Sequence, residues 1–445
     1  MTACKNTVYV NSINSLQQPF AVSKFPKLPQ GIAAPFPEQP KPPADDDPML
    51  TPEAYIHRGQ VARKGRGAVT NLRGRYESVS REEFDDGWQA VRFDRTDADV
   101  DAAAPDDAAG EDDEAPPLKT IVTEETAKSI ISRNSSPDLP FSLSLNPYRG
   151  CEHGCIYCFA RPSHSYLGLS PGLDFESRLF AKTNAPELLL RELARPSYVP
   201  DTITVGINTD AYQPVERELK LTRRVLQILH DCGNPVALIT KSSLIERDID
   251  LLAPMAAKRQ AIAAVTITTL DPAIARTLEP RAASPARRLR TIRTLAEAGI
   301  PVSVSIAPVI PFVTEPDLER VMEAAIEAGA GQAGYIVLRL PWEISPLFRQ
   351  WLQAHFPDRA ARVMNRIQDM RGGKDYDADF GTRMRGTGVW ADLLQQRFEK
   401  ASRRLGIGHR NRAFATLDAS GFRRPLVTPT ARQPTRGNSG QLDLF

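Results

Sequence analysis

No stretch of this sequence approaches the roughly 18 uninterrupted apolar residues of a membrane-crossing helix, so none is expected. Lys5 is not followed by an apolar run, so a secretory leader is not expected either. Cysteine is scarce. There are five in 445 residues, and three of them crowd into positions 151–158, poor geometry for separate disulfides and good geometry for a metal. A soluble, cytoplasmic protein is the expectation. Charge of one sign is not in excess either: 56 Lys and Arg stand against 54 Asp and Glu, a net of +2, which points to no partner in bulk. Its distribution says more. Residues 94–117 carry ten acids against Arg95 alone, whereas 397–436 carry ten Lys and Arg against Glu399 and Asp418. The basic end suits a polyanion and the acidic stretch does not.

A chain of this length exceeds what one core usually fills, so one large domain with flanking segments is expected. Residues 1–54 are proline-rich and without apolar period, and read as a disordered head, with Cys4 incidental and Met49 an alternative start. Residues 55–93 form a basic, Gly-rich segment containing Arg63-Lys64-Gly65-Arg66-Gly67-Ala68 and Arg73-Gly74-Arg75. The acidic run 94–117 repels itself and reads as a linker. From 118 to 345 short β-rich runs alternate with amphipathic stretches. The strands are expected at 141–145, 203–208, 236–240, 263–268, 302–307 and 335–340, and the helices near 185–195, 215–231, 244–256, 284–298 and 315–328. This alternation predicts an α/β fold, a partial (β/α)6 TIM-like barrel with its chemistry at the C-terminal strand ends. Residues 346–424 read as a basic helical extension and 425–445 as a flexible tail.

The densest chemistry is Arg149-Gly150-Cys151-Glu152-His153-Gly154-Cys155-Ile156-Tyr157-Cys158, a C-x3-C-x2-C spacing. Three thiolates on one loop can hold three irons of a cubane cluster and leave the fourth iron open, as a catalytic site requires. Gly150 and Gly154 let the backbone wrap tightly. The competing readings are a zinc site or three buried thiols. Zinc wants a fourth ligand, and this spacing is not a usual zinc spacing. His153 sits awkwardly inside the loop, and Cys232 precedes the helix-ending Gly233-Asn234-Pro235 and suits a buried core position.

With Tyr157 before the third cysteine, the loop resembles the radical S-adenosylmethionine (SAM) superfamily, and the expected fold is then the partial barrel of the radical SAM type. The resemblance implies a 4Fe-4S cluster on Cys151, Cys155 and Cys158, with SAM chelated to the fourth iron. It also implies an electron donor such as flavodoxin or ferredoxin, and a 5′-deoxyadenosyl radical that abstracts hydrogen from substrate. Within the superfamily the chain is most similar to the spore photoproduct lyase branch. The cluster loop through Phe159-Ala160-Arg161, the strand end Thr240-Lys241, Thr266-Ile267-Thr268, the turn Leu278-Glu279-Pro280-Arg281 and Ile306-Ala307-Pro308 carry that similarity. It implies that Lys241, with Thr266 or Thr268, holds the SAM carboxylate, and that Tyr157 belongs to the cofactor site. A cation at a strand's C-terminal end suits a carboxylate without any resemblance. A solvated turn lysine and ordinary strand threonines are the plainer readings.

A second loaded strand end, Asn208-Thr209-Asp210-Ala211-Tyr212-Gln213-Pro214-Val215-Glu216, offers Asp210 and Glu216 for the cofactor and Asn208 and Tyr212 for substrate chemistry, or else helix capping. Here the sequence departs from the branch, which has a hydrogen-donating cysteine near this point. Asn208 and Thr209 are poor hydrogen-atom donors and leave Tyr212 as the candidate, so strict photoproduct repair is placed in doubt. DNA or a nucleotide lesion is the expected substrate, with tRNA, a peptide or a small metabolite as alternatives, and a scaffold or redox sensor as a reading without SAM chemistry. The terminal Gln441-Leu442-Asp443-Leu444-Phe445, on a basic tether, resembles the peptides that dock on the bacterial DNA polymerase sliding clamp: Leu442, Leu444 and Phe445 offer apolar anchors and Gln441 a polar hook. Arg397, Lys400, Arg403, Arg404, Arg410, Arg412, Arg423 and Arg424, and separately Arg63, Lys64, Arg66, Arg73 and Arg75, are candidate phosphate contacts, with solvated faces as the alternative.

Overall fold

The computed structural model describes residues 63–77, 118–409 and 417–426. The expectations for the head, the acidic linker, Arg410, Arg412 and the tail with Gln441, Leu442, Leu444 and Phe445 lie outside these described residues. The first half contains β1 (Ile121–Glu125), β2 (Ile131–Arg133), β3 (Leu143–Leu145), β4 (Tyr148–Arg149), α1 (Leu173–Ser177), β5 (Arg178–Lys182), α2 (Ala185–Ala194), β6 (Ile203–Val205), α3 (Glu216–Leu219) and α4 (Leu221–Cys232). The second contains β7 (Val236–Thr240), α5 (Ile249–Ala257), β8 (Ala261–Thr266), α6 (Pro272–Leu278), α7 (Pro285–Glu297), β9 (Val302–Val309), α8 (Leu318–Glu327), β10 (Gln332–Val337), α9 (Ile344–His355), α10 (Pro357–Asp369), α11 (Gly388–Leu405) and β11 (Gly408–His409).

An eight-stranded sheet runs in the order β11-β10-β9-β8-β7-β6-β3-β2. Every neighbouring pair is parallel except β2 with β3. The six central strands follow chain order with helical crossovers between them, the partial (β/α)6 barrel. Their side chains make this possible: β8 is buried along its whole length, with Ala261, Ala263 and Ala264 leaving room for neighbours on both faces. Helix starts carry the expected punctuation. Ser284 accepts from Arg287 N ahead of Pro285, and Asp271 accepts from Ala273 N and Ile274 N ahead of Pro272.

Three details differ from the sequence reading. The strand expected at 203–208 stops at Val205, because Gly206 turns out at φ +92° and any Cβ there would meet the Ile239 carbonyl oxygen at 2.4 Å. The helix expected at 215–231 breaks at Lys220, which adopts φ +51°. A second sheet, β1-β5-β4, lies where no strand was expected. At the other end of the chain α11 packs on α8. Arg397 pairs there with Glu315 and Glu319, and Arg404 with Glu323. Arg424 donates to the carbonyls of Leu193, Arg195 and Tyr198. Arg397, part-buried, is therefore occupied within the protein, which corrects its reading as a phosphate contact, whereas Arg404 and Arg424 make these contacts from exposed positions. Lys400, Arg403 and Arg423 stay exposed. Among the described residues no helix is long and apolar enough to cross a membrane.

Candidate active site

The cysteine loop leaves β4 at the C-terminal mouth of the barrel and is pinned at every turn. Gly150 and Gly154 hold φ +74° and +67°. Cys151 N donates to Phe175 O, Ile156 N to Leu278 O, and Cys158 N to Cys155 O. Gln213 bridges the loop's start, accepting from Glu152 N at 2.9 Å and donating to Gly150 O at 3.2 Å. From behind, the fully buried Arg161 donates to the carbonyls of Cys155, Gly154, Pro171 and Gly172 and pairs with buried Glu176.

The basic N-terminal segment completes this support. Gly67 N and Ala68 N donate to the two Glu176 carboxylate oxygens at 3.0 and 2.8 Å, and Arg66, itself buried, donates to the carbonyls of Glu176 and Leu118. Ala68 and Leu72 share an apolar cluster with Cys155, Ile156, Tyr157 and the α9–α10 residues Phe348, Trp351 and Ile367. Arg75 pairs with Glu343 at 2.7 Å. Arg66 and Arg75 are thus internal braces, which corrects their reading as phosphate contacts.

All three thiols line one cavity of about 570 Å³ at the C-terminal strand ends. Its walls also include Tyr157, Phe159, Asn208, Asp210, Lys241, Thr266, Arg339 and Met384. Burial pushes the Cys151 thiol up, and the Cys155 thiol up to about 12, with the charge of Lys241 opposing the latter. Lys241 Nζ lies 5.7 Å from the centre of the Tyr157 ring and makes no ion pair among the described residues. Burial would lower its pKa, but the charges at Cys155, Glu279 and Asp210 outweigh burial and hold the ammonium above its ordinary range.

Asp210 fixes this corner. It accepts from Thr240 Oγ1 and Lys241 N, both at 2.7 Å, and from Tyr212 N at 2.9 Å, and lies 3.3 Å from His153 Nδ1. Its carboxylate therefore positions Lys241 and the cysteine loop as well as facing the cavity. A second buried carboxylate, Glu279, receives the Tyr157 hydroxyl, Thr268 Oγ1 at 3.3 Å and Arg288. Burial would raise the Glu279 pKa; Arg288 and Lys241, with hydrogen bonds from Tyr157 and Arg288, hold it below the usual carboxylate range.

Three expected site residues do not line the cavity. Glu216 is fully buried: it accepts from Thr222 N and Arg223 N, capping α4 just past the Lys220 break, and binds Arg247 and the Tyr148 hydroxyl. Tyr212 is buried beside Arg247 and Asp248 and is not among the residues lining the cavity. Thr268 lies past the end of β8 and spends its hydroxyl on Glu279. Cys232 ends α4 in the main core, at the opposite end of the barrel from the mouth. Sequence reasoning missed Glu279 and Arg288 as a buried pair, and Arg161 with Glu176. Nothing in the sequence signals this: Arg288 stands among Arg287, Arg290 and Arg293, and Glu279 between Arg276 and Arg281, like ordinary surface charges.

The donor set fits an iron–sulfur cluster. The three cysteines are free of disulfides. All three thiols come from one loop and face one cavity, the donor number for three irons of a cubane cluster and one short of the four ligands a structural zinc takes. Residues 145–325 match the family description "Radical SAM superfamily". An uncharacterised protein of Mycobacterium tuberculosis H37Rv is 36% identical over 226 residues, 50% of this chain and 66% of the relative, so the chain spans just under two thirds of that relative's length. An uncharacterised protein of Methanocaldococcus jannaschii is 27% identical over 240 residues, 54% of this chain and 85% of the relative. Among solved structures, a spore photoproduct lyase variant with bound AdoMet and dinucleoside spore photoproduct aligns with TM-score 0.43 and 12% identity, over 65% of this chain and 80% of that one. The cysteine loop and its place at the mouth of a parallel partial barrel both fall at or within residues 145–325, the part of this chain that carries a radical SAM domain.

Proposed function

We propose that the chain is a radical SAM enzyme acting on DNA or on a nucleotide lesion. The observation that carries this reading is one cavity lined by the three thiols, by Lys241, which makes no ion pair among the described residues, and by Phe159 and Arg339. When bound, the 4Fe-4S cluster and SAM supply a 5′-deoxyadenosyl radical. Cys151, Cys155 and Cys158 hold the iron, and Lys241, with Thr266 beside it, takes the SAM carboxylate. Tyr157, anchored on Glu279, walls the cofactor from solvent. Arg339, whose Cζ lies 5.5 and 5.9 Å from the Phe159 and Tyr376 ring centres, presents a cation and a π surface to the substrate side. No cysteine beyond the three cluster ligands lines the cavity among the described residues, so the reading covers hydrogen abstraction and not the return of hydrogen from a protein thiol.

The test is anaerobic. The full chain is loaded with iron and sulfide, reduced with dithionite and given SAM, and 5′-deoxyadenosine is measured. The wild-type protein is expected to form it and Cys155→Ala to form none. Lys241→Ala is expected to raise the SAM dissociation constant about ten- to a hundredfold, the worth of one charge-assisted hydrogen bond. A cluster that assembles without any cleavage would leave an iron–sulfur scaffold in place of an enzyme.

For the partner, we propose that Gln441, Leu442, Leu444 and Phe445 dock in an apolar groove of the DNA polymerase sliding clamp. The full chain is expected to be retained on immobilised clamp, and a chain lacking residues 441–445 to wash through. Equal retention of both would remove the clamp from the account.

A further inference from the structure

The cysteine loop and its brace carry, on their outer side, a column of stacked rings that the cavity does not use. Tyr166 lies in the 3-10 turn Arg161–Leu167 directly after the loop, and its ring stacks on Tyr76 with centres 5.0 Å apart and planes 26° apart. The Arg75 guanidinium sits 5.6 Å from the Tyr76 ring centre and 4.3 Å from that of Trp342. The order is Tyr166, Tyr76, Arg75, Trp342. Trp342 follows the C-terminal end of β10 by a few residues, so the column stands at the same end of the barrel as the cavity lined by Arg339.

Nothing about folding requires this. Tyr166 is 60% exposed, Tyr76 42% and Trp342 46%, so the rings contribute little burial. Trp342 also holds φ +49°, a left-handed conformation unfavourable for a residue with a side chain. Arg75 Nη2 and Glu343 Oε2 are buried there without hydrogen-bond partners. Glu343 neutralises Arg75, so the column itself is a π surface and not an anion site. Positive charge lies in the same short segment: Arg73, two residues before Arg75, is exposed, as is Arg63 further back along the chain. Open ring faces flanked by cations are the combination that binds single-stranded nucleic acid, with bases on the rings and phosphates on the cations. A protein partner would match the rings but has no use for the cations.

We propose that Trp342 and Tyr166, the two ends of the column held together by Tyr76 and Arg75, form a base-stacking platform for single-stranded or locally unpaired nucleic acid beside the cavity mouth. The proposal rests on the nucleic-acid reading above and names how that substrate is held. The test uses the full-length, cluster-loaded protein and fluorescence anisotropy. The probes are labelled oligothymidylate of about a dozen nucleotides, within the usual site size, and an abasic oligomer of equal length. Oligothymidylate is expected to bind at least about tenfold more tightly than the abasic oligomer. Trp342→Ala and Tyr166→Ala are each expected to weaken oligothymidylate binding about tenfold while leaving abasic binding unchanged. Trp342→Phe, which keeps a ring, restores most of the affinity, and the iron content of each variant separates misfolding from lost stacking. Equal binding of the two oligomers, indifference to ring removal, or no binding by the wild-type protein overturns the platform. Formation of 5′-deoxyadenosine by the same wild-type preparation without any oligomer separates the cases. Cleavage with ring-indifferent binding sinks the platform alone, and absent cleavage sinks the radical reading whatever the oligomers do.

Discussion

Glu279→Ala is expected to lower the melting temperature by on the order of 10 °C, and to do so in the cluster-free protein as well. Glu279 and Arg288 are both fully buried and paired, and Glu279 also receives the Tyr157 and Thr268 hydroxyls. Removing the carboxylate leaves Arg288 as an uncompensated buried cation and withdraws the charge that supports Lys241. Breaking a buried pair in this way costs about 3–5 kcal/mol, which for a domain of this size is a shift of roughly 10 °C. Calorimetry of Glu279→Ala against wild type measures it, and a shift below about 2 °C would mean the pair is not buried in solution. Since the fold lowers the Glu279 pKa, the unfolded chain takes up the proton more readily. Its stabilisation is therefore complete above the ordinary carboxylate range and is withdrawn as the pH falls through the lower folded value. Glu279→Gln should accordingly flatten the acid limb of the stability profile.

Gly67→Ala is expected to cost the protein its cluster. A Cβ at Gly67 would stand 1.8 Å from the Gly154 carbonyl oxygen, 3.1 Å from its carbon and 3.3 Å from Ile156 N. All three are backbone atoms inside the cysteine loop, so no side chain can swing aside. Either the loop between Cys151 and Cys155 shifts, or the brace lifts off and forfeits its two amide bonds to Glu176. Overpacking with lost charge-assisted hydrogen bonds amounts to about 3 kcal/mol or more, close to a hundredfold in docking of the segment. Iron per chain after reconstitution, and protease sensitivity near residue 67, read the result. Gly65→Ala is the control: nothing lies within 4 Å of its Cβ, so only the strain of φ +72° applies, about 1 kcal/mol. If both variants load iron as wild type does, the segment is not a brace.

How far each feature could be read from the chain depends on the range of the interaction that fixes it. The strand β7 at Val236–Thr240 falls where its apolar run predicts, and α7 at Pro285–Glu297 lies within a residue of its expected bounds because Ser284 and Pro285 mark its start locally. The cysteine spacing is equally local. What was not legible depends on residues far apart in sequence. The sheet β1-β5-β4 forms from short strands that pair only with each other and carry exposed or mixed patterns. Glu216 looked like a cofactor contact because a carboxylate at a strand end is chemically apt. Only the break at Lys220 and the approach of Arg247 turn it into a helix cap.

By itself the sequence determined the alternation of strands and helices, the three thiols on one loop and the lysine at the end of β7. Period, turn residues and motif spacing are properties of neighbouring residues. Tertiary structure alone decided which charges are braces and which are free to meet a ligand. Arg66, Arg161 and Arg288 are indistinguishable by composition from Arg63 and Arg73, yet burial forces the first three to find carboxylates or carbonyls inside the fold. It also decided that a segment more than 80 residues before the cysteines closes the back of their loop, because a glycine without a side chain can approach the Gly154 carbonyl that closely.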